Sequence, residues 1–146
     1  MKTDAPPATI LIRMMTGGVF LSEGLLKFVY ANQGVGRFTK LGFPFPHLTA
    51  DLVAGFEIIG GILLLLGLFT RPVAITFALE MIVAIFATKV SLFLGTSPLP
   101  LPPSPPTIGF WAVAHEIRSD YAQLMTSIFL AIVGAGPRSL DARRRV

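Results

Sequence analysis

The chain has 146 residues, of which 53% are hydrophobic and only 14% charged, with a mean hydropathy of +0.71. A soluble domain is about 25% charged, so this composition leaves too little polar surface for a dissolved globular protein of this size. The lack of cysteine excludes disulfides and thiolate chemistry. The net charge of +4 is no nucleic-acid signal, because the basic residues form no stripe apart from Arg138, Arg143, Arg144 and Arg145.

The pattern that remains is an all-α, four-transmembrane-helix bundle in a single domain, 1–146. A membrane helix needs about 20 largely apolar residues to cross about 30 Å of hydrocarbon. Such windows run over about 8–30, 52–69, 72–94 and 117–135. The first contains Arg13 and a long apolar stretch, which reads as a retained span rather than a leader. Asn32 to Gly36 ends it. Thr70-Arg71-Pro72 reads as a tight turn between the second and third spans, with Pro72 at a helix start. Residues 98–106 hold six prolines in nine positions, which forces an extended path and makes 95–114 an external loop. Gly136-Pro137 stops the fourth span, leaving a basic tail over 136–146.

Lys and Arg counts set the expected orientation. Lys2, Arg13, Arg71, Arg138, Arg143, Arg144 and Arg145 would share one side; Lys27, Arg37, Lys40, Lys89 and Arg118 the other. The positive-inside rule then places both termini in the cytoplasm, in a bacterial-type inner membrane. A basic tail next to a span also favours an anionic leaflet.

Ionisable residues within spans point to a functional site. At ~1.5 Å per residue, Glu23, Lys27, Glu57, Lys89 and the stretch His115–Asp120 fall in the outer half, with Glu80 beneath them near the midplane. That layer predicts a polar cavity open to the outer face. Glu23 and Lys27 are four apart on one face and can pair. Glu57 shares a face with Gly60 and Gly61 and so faces a packed helix interface. Glu80 reads either as a protonated, hydrogen-bonded acid or as a proton relay. Lys89, Arg118 and Asp120 read more readily as solvated helix ends. His115 is a lone interfacial histidine, and no His/Asp/Glu spacing suggests a metal.

Several pieces in order resemble the DoxX family of small four-helix membrane proteins. They are Arg13 with Gly17-Gly18-Val19-Phe20-Leu21-Ser22-Glu23-Gly24 and Lys27, then Leu41-Gly42-Phe43-Pro44, then Glu57-Ile58-Ile59-Gly60-Gly61. The series continues through Gly67-Leu68-Phe69-Thr70-Arg71 to Gly134-Ala135-Gly136-Pro137-Arg138-Ser139-Leu140-Asp141. The resemblance implies membership of membrane oxidoreductase systems, including a thiosulfate:quinone oxidoreductase; many members of the family have no assigned activity.

Three functions compete. In a quinone-linked oxidoreductase subunit, Glu57 and Glu23 would exchange protons as the catalytic pair, while Lys27, Glu80, Lys89 and His115 would bind substrate, with quinone as the possible cofactor. A non-enzymatic accessory subunit would dock another membrane or periplasmic protein through the 95–114 loop. A small proton-coupled carrier would need an oligomer, because four helices without an inverted repeat are few for alternating access.

Overall fold

The computed structural model describes residues 5–144. Lys2 and Arg145, two of the charges behind the expected orientation, lie outside the described residues. The described chain is entirely helical in its regular structure: α1 (Thr9–Val29), α2 (Val35–Lys40), α3 (Pro46–Leu66), α4 (Thr70–Leu94), α5 (Phe110–Glu116), α6 (Arg118–Val133) and α7 (Leu140–Arg143). Three of these, α1, α3 and α4, are long and apolar enough to cross a bilayer. Their outward faces carry Leu11, Met14, Ile59, Leu79 and Phe86, all exposed. A helix apolar on every side needs lipid or protein around it, and the chain is an integral membrane protein on that ground.

Several boundaries differ from the sequence reading. The second long helix begins at Pro46, six residues earlier than expected, because Pro46 occupies its first turn, where a missing N–H costs nothing. The α3–α4 turn lies at Gly67–Phe69 rather than at 70–72. Gly67 (φ 69°) and Phe69 (φ 51°) are both left-handed, which reverses the chain in three residues. Where the fourth span is expected stands α6, only 16 residues long and not among the helices long and apolar enough to cross, with α5 preceding it across Ile117. The loop expected over 95–114 is accordingly shortened by α5.

The long helices pack as two antiparallel pairs. In the first, α1 crosses α3 at small residues: a Cβ on Gly17 would lie 2.8 Å from the Gly61 carbonyl oxygen, and one on Gly24 2.8 Å from that of Ala54. Only glycine permits backbones this close. In the second pair, α4 and α6 are joined at one end by Lys89 and Asp120 and at the other by Arg71 and the Ile132 carbonyl. Between the pairs sits an apolar core of Phe20, Leu64, Val73, Ala74, Phe77, Met81 and Leu130. Phe20 of α1 stacks on Phe77 of α4 with centroids 3.7 Å apart and planes 6° from parallel.

The start of α1 and the segment after α6 meet at one end of the bundle. Arg13, only 1% exposed, donates from Nη2 to the Arg138 carbonyl. Asp141 accepts from the backbone N–H groups of Phe69 and Thr70 at 2.9 Å each, capping α4, while its own N–H donates to the Gly67 carbonyl. A Cβ on Gly67 would overlap the Arg13 guanidinium. The scattered pieces Arg13, Gly67–Arg71 and Arg138–Asp141 thus form one knot.

Candidate functional site

Above the Phe20–Phe77 layer, at the end opposite the termini, the two helix pairs separate around a cavity of about 510 Å³. It draws its walls from α1, α2, α3, α4 and α6. Phe20 and Met81 belong both to the cavity lining and to the apolar core, and so form its floor. Val83 lines it and is also 54% exposed, so the cavity reaches the lipid-facing side of α4.

The centre of the site is a contact between helices. Lys27 of α1 places Nζ 2.7 Å from Oε2 and 3.0 Å from Oε1 of Glu57 on α3. Glu57 is buried, 2% exposed. Its position follows from Gly24, against which it packs: a Cβ there would lie 3.0 Å from the Glu57 Cβ. The Glu80 carboxyl stands in side-chain hydrogen-bond contact with Glu57 and within the field of Lys27. Lys27, Glu57 and Glu80, from three different helices, thus meet at this cavity.

This arrangement corrects the expected Glu23–Lys27 pair. Glu23 is exposed and lines the cavity, while Lys27 turns to Glu57. The physical reason is desolvation: a buried carboxylate needs a counter-charge far more than one in contact with water. Lys89 and Asp120 are not solvated ends either. They pair at 3.0 Å and both line the cavity. Arg118 is exposed and donates to the His115 carbonyl at 2.8 Å.

Five of the six residues singled out from the sequence, Glu23, Lys27, Glu57, Glu80 and Lys89, come together at this cavity. His115 does not; it is exposed and lies outside the lining. Among the described residues no cluster of three or more His, Asp or Glu side chains is placed to hold a metal.

Other lining residues escaped the sequence reading as site residues. Arg37 and Gln33 reach the cavity because the connection after α1 folds back as α2, which no periodicity announces. Gln123 is buried on α6, four residues before buried Ser127. That polar pair at helical spacing in an apolar helix was a usable signal.

The DoxX family model matches residues 8–90. The match ends before α6, yet relatives extend the likeness over most of the chain. The uncharacterized membrane protein Rv3486 of Mycobacterium tuberculosis is 41% identical, covering 98% of this chain and 85% of its own length. The putative oxidoreductase CatD of Bacillus subtilis is 34% identical over 91% of this chain and 84% of its own. The inner membrane protein YphA of Escherichia coli is 30% identical over 95% and 92% respectively. No solved structure matches.

Proposed function

This chain belongs to the DoxX family, and on that premise we propose that it is the membrane subunit of a quinone-linked oxidoreductase system, with the cavity between the helix pairs as its head-group site. The observation that carries this reading is the Lys27–Glu57 pair, with Glu80, in a cavity of mixed polar and apolar lining that has an apolar floor and reaches the exposed Val83 side of α4. A quinone is an apolar molecule with a polar head, and it supplies two-electron, two-proton redox chemistry when bound. Lys27 is placed to donate a hydrogen bond to a head-group oxygen. The Glu57–Glu80 pair would take up and release a proton next to that position, and exposed Glu23 in the cavity lining offers an exchange point with water. One relative carries the name putative oxidoreductase, which agrees with this reading.

The fold in the membrane follows the same proposal. α5 and α6 together supply the fourth crossing, and the termini face the cytoplasm, so the cavity opens outward. Exposed Tyr30, Phe45, Trp111 and Tyr121 at the cavity end suit a membrane–water interface. The test is extraction of bound lipid after purification in mild detergent, followed by titration with a short-chain quinone. Absence of native quinone together with no saturable quinone binding would sink the proposal.

A second reading is an accessory subunit that docks a partner protein. Its support is the loop before α5, whose prolines wall a further cavity of about 350 Å³ with Arg37, Lys40 and Lys89. Crosslinking from native membranes separates the two readings: recovery of a free protein without a partner excludes the second.

A further inference from the structure

We propose that the crevice at the termini end of the bundle binds the phosphate-bearing head group of an anionic phospholipid. The site is independent of the cavity described above and lies at the opposite end. It measures about 260 Å³ and is formed where the start of α4 meets the α6–α7 connection.

Its wall contains a buried polar group that asks for a ligand. Thr70 is fully buried, and its hydroxyl has no hydrogen-bond partner among the described residues. A polar atom taken out of water without a partner costs free energy, which a ligand oxygen in the crevice would offset. Beside it, Arg71 also lines the crevice, and its Nη2 donates to the Ile132 carbonyl at 3.1 Å. That tether holds the guanidinium at the rim. Arg144 lies over the ring of Phe69, another lining residue, with Cζ 5.3 Å from the ring centroid.

The charge of the acid in the crevice, Asp141, is partly offset by its surroundings. Both carboxylate oxygens of Asp141 are engaged by backbone N–H groups, and Arg13 interacts with it electrostatically. The surrounding end of the bundle carries Arg71, Arg138, Arg143 and Arg144 as well. Guanidinium groups match phosphate oxygens in a bidentate manner.

A lipid fits better than a free anion because the rim is apolar. Leu66, Phe69 and Ile132 are all exposed at this end of the bundle, and the crevice lies where the apolar stretch of α3 ends and that of α4 begins. Basic crevices between membrane helices are suited to such head groups.

The experiment is native mass spectrometry of the full chain in mixed micelles containing phosphatidylglycerol and phosphatidylcholine. The wild type should retain phosphatidylglycerol preferentially. Arg71→Gln and Arg144→Ala should each reduce that preference about fivefold, the equivalent of one basic contact, while Arg118→Ala at the far end should leave it unchanged. Arg144 is exposed, so its variant keeps the test sound should Arg71→Gln fold poorly. Equal retention of both lipids, or an unchanged preference in both crevice variants, overturns the site. Displacement of phosphatidylglycerol by millimolar inorganic phosphate would identify a free-anion site and overturn the lipid assignment.

Discussion

Lys27 and Glu57 lie 30 positions apart on different helices, yet their charged groups meet at 2.7 Å inside the bundle, each shielded from solvent. Glu57 has its counter-charge across the α1–α3 interface, and Glu80 shares its remaining hydrogen-bonding capacity. Removing one partner of a buried pair leaves an uncompensated charge, at a cost of about 3–5 kcal/mol. Lys27→Met and Glu57→Leu should therefore each lower the thermal midpoint in mild detergent sharply. The double variant, apolar at both positions and similar in volume, should recover most of the loss. It should nonetheless fail to bind quinone, and quinone binding retained in that variant would remove the pair from the proposed site.

The α1–α3 crossing depends on backbone contact. Gly61→Ala puts a Cβ 2.8 Å from both the Gly17 carbonyl oxygen and the Leu21 nitrogen. Backbone atoms cannot move aside cheaply, so a loss of about 1–3 kcal/mol is expected. A Cβ on Gly18 meets nothing within 4 Å, and Gly18→Ala serves as the neutral control in the same unfolding assay.

At the termini end, Asp141→Ala removes the acceptor for two N–H groups at the start of α4 and the charge facing Arg13. Loss of a cap of this kind costs about 0.5–2 kcal/mol, and the accompanying loss at Arg13 should bring the total to the upper end. Asp141→Asn keeps one acceptor oxygen and should fall between the wild type and Asp141→Ala.

Because the chain has no cysteine, single introduced cysteines report accessibility without background. Gln33→Cys and Ala87→Cys line the cavity and should react with a membrane-impermeant thiol reagent added to one side. Arg138→Cys at the opposite end should react only from the other side. Reaction of all three from the same side would contradict the arrangement of cavity and termini at opposite ends.

Phe77 stacks on Phe20, a residue of the cavity floor, from the core side. Thr16→Cys, on the termini side of that layer and fully buried, should be protected from labelling through the cavity. Combining it with Phe77→Ala opens the floor and should increase its labelling rate severalfold, at a stability cost of about 3–5 kcal/mol. An unchanged rate would mean that the barrier lies elsewhere.

The long apolar helices, the layer of charge in one half and the close-packing glycines were all legible in the sequence. Each depends on local composition or on spacing along one helix. The partner of Lys27 was not legible, because Glu23 at four residues and Glu57 at thirty are both compatible with the sequence, and only the α1–α3 crossing at Gly24 and Ala54 determines which carboxylate is buried beside it. The same holds for Arg37, carried to the cavity by a connection that folds back as α2, and for His115, which faces away from it.

What the sequence determined by itself is therefore the solvent of this protein: hydrophobicity accumulates residue by residue, and a long apolar run requires a bilayer whatever its neighbours are. Which charges face one another was decided only by tertiary structure. Arg13 meets the Arg138 carbonyl 125 positions away, and Lys27 meets Glu57. Such contacts depend on how each helix is rotated about its axis, and packing between small residues on different helices sets that rotation.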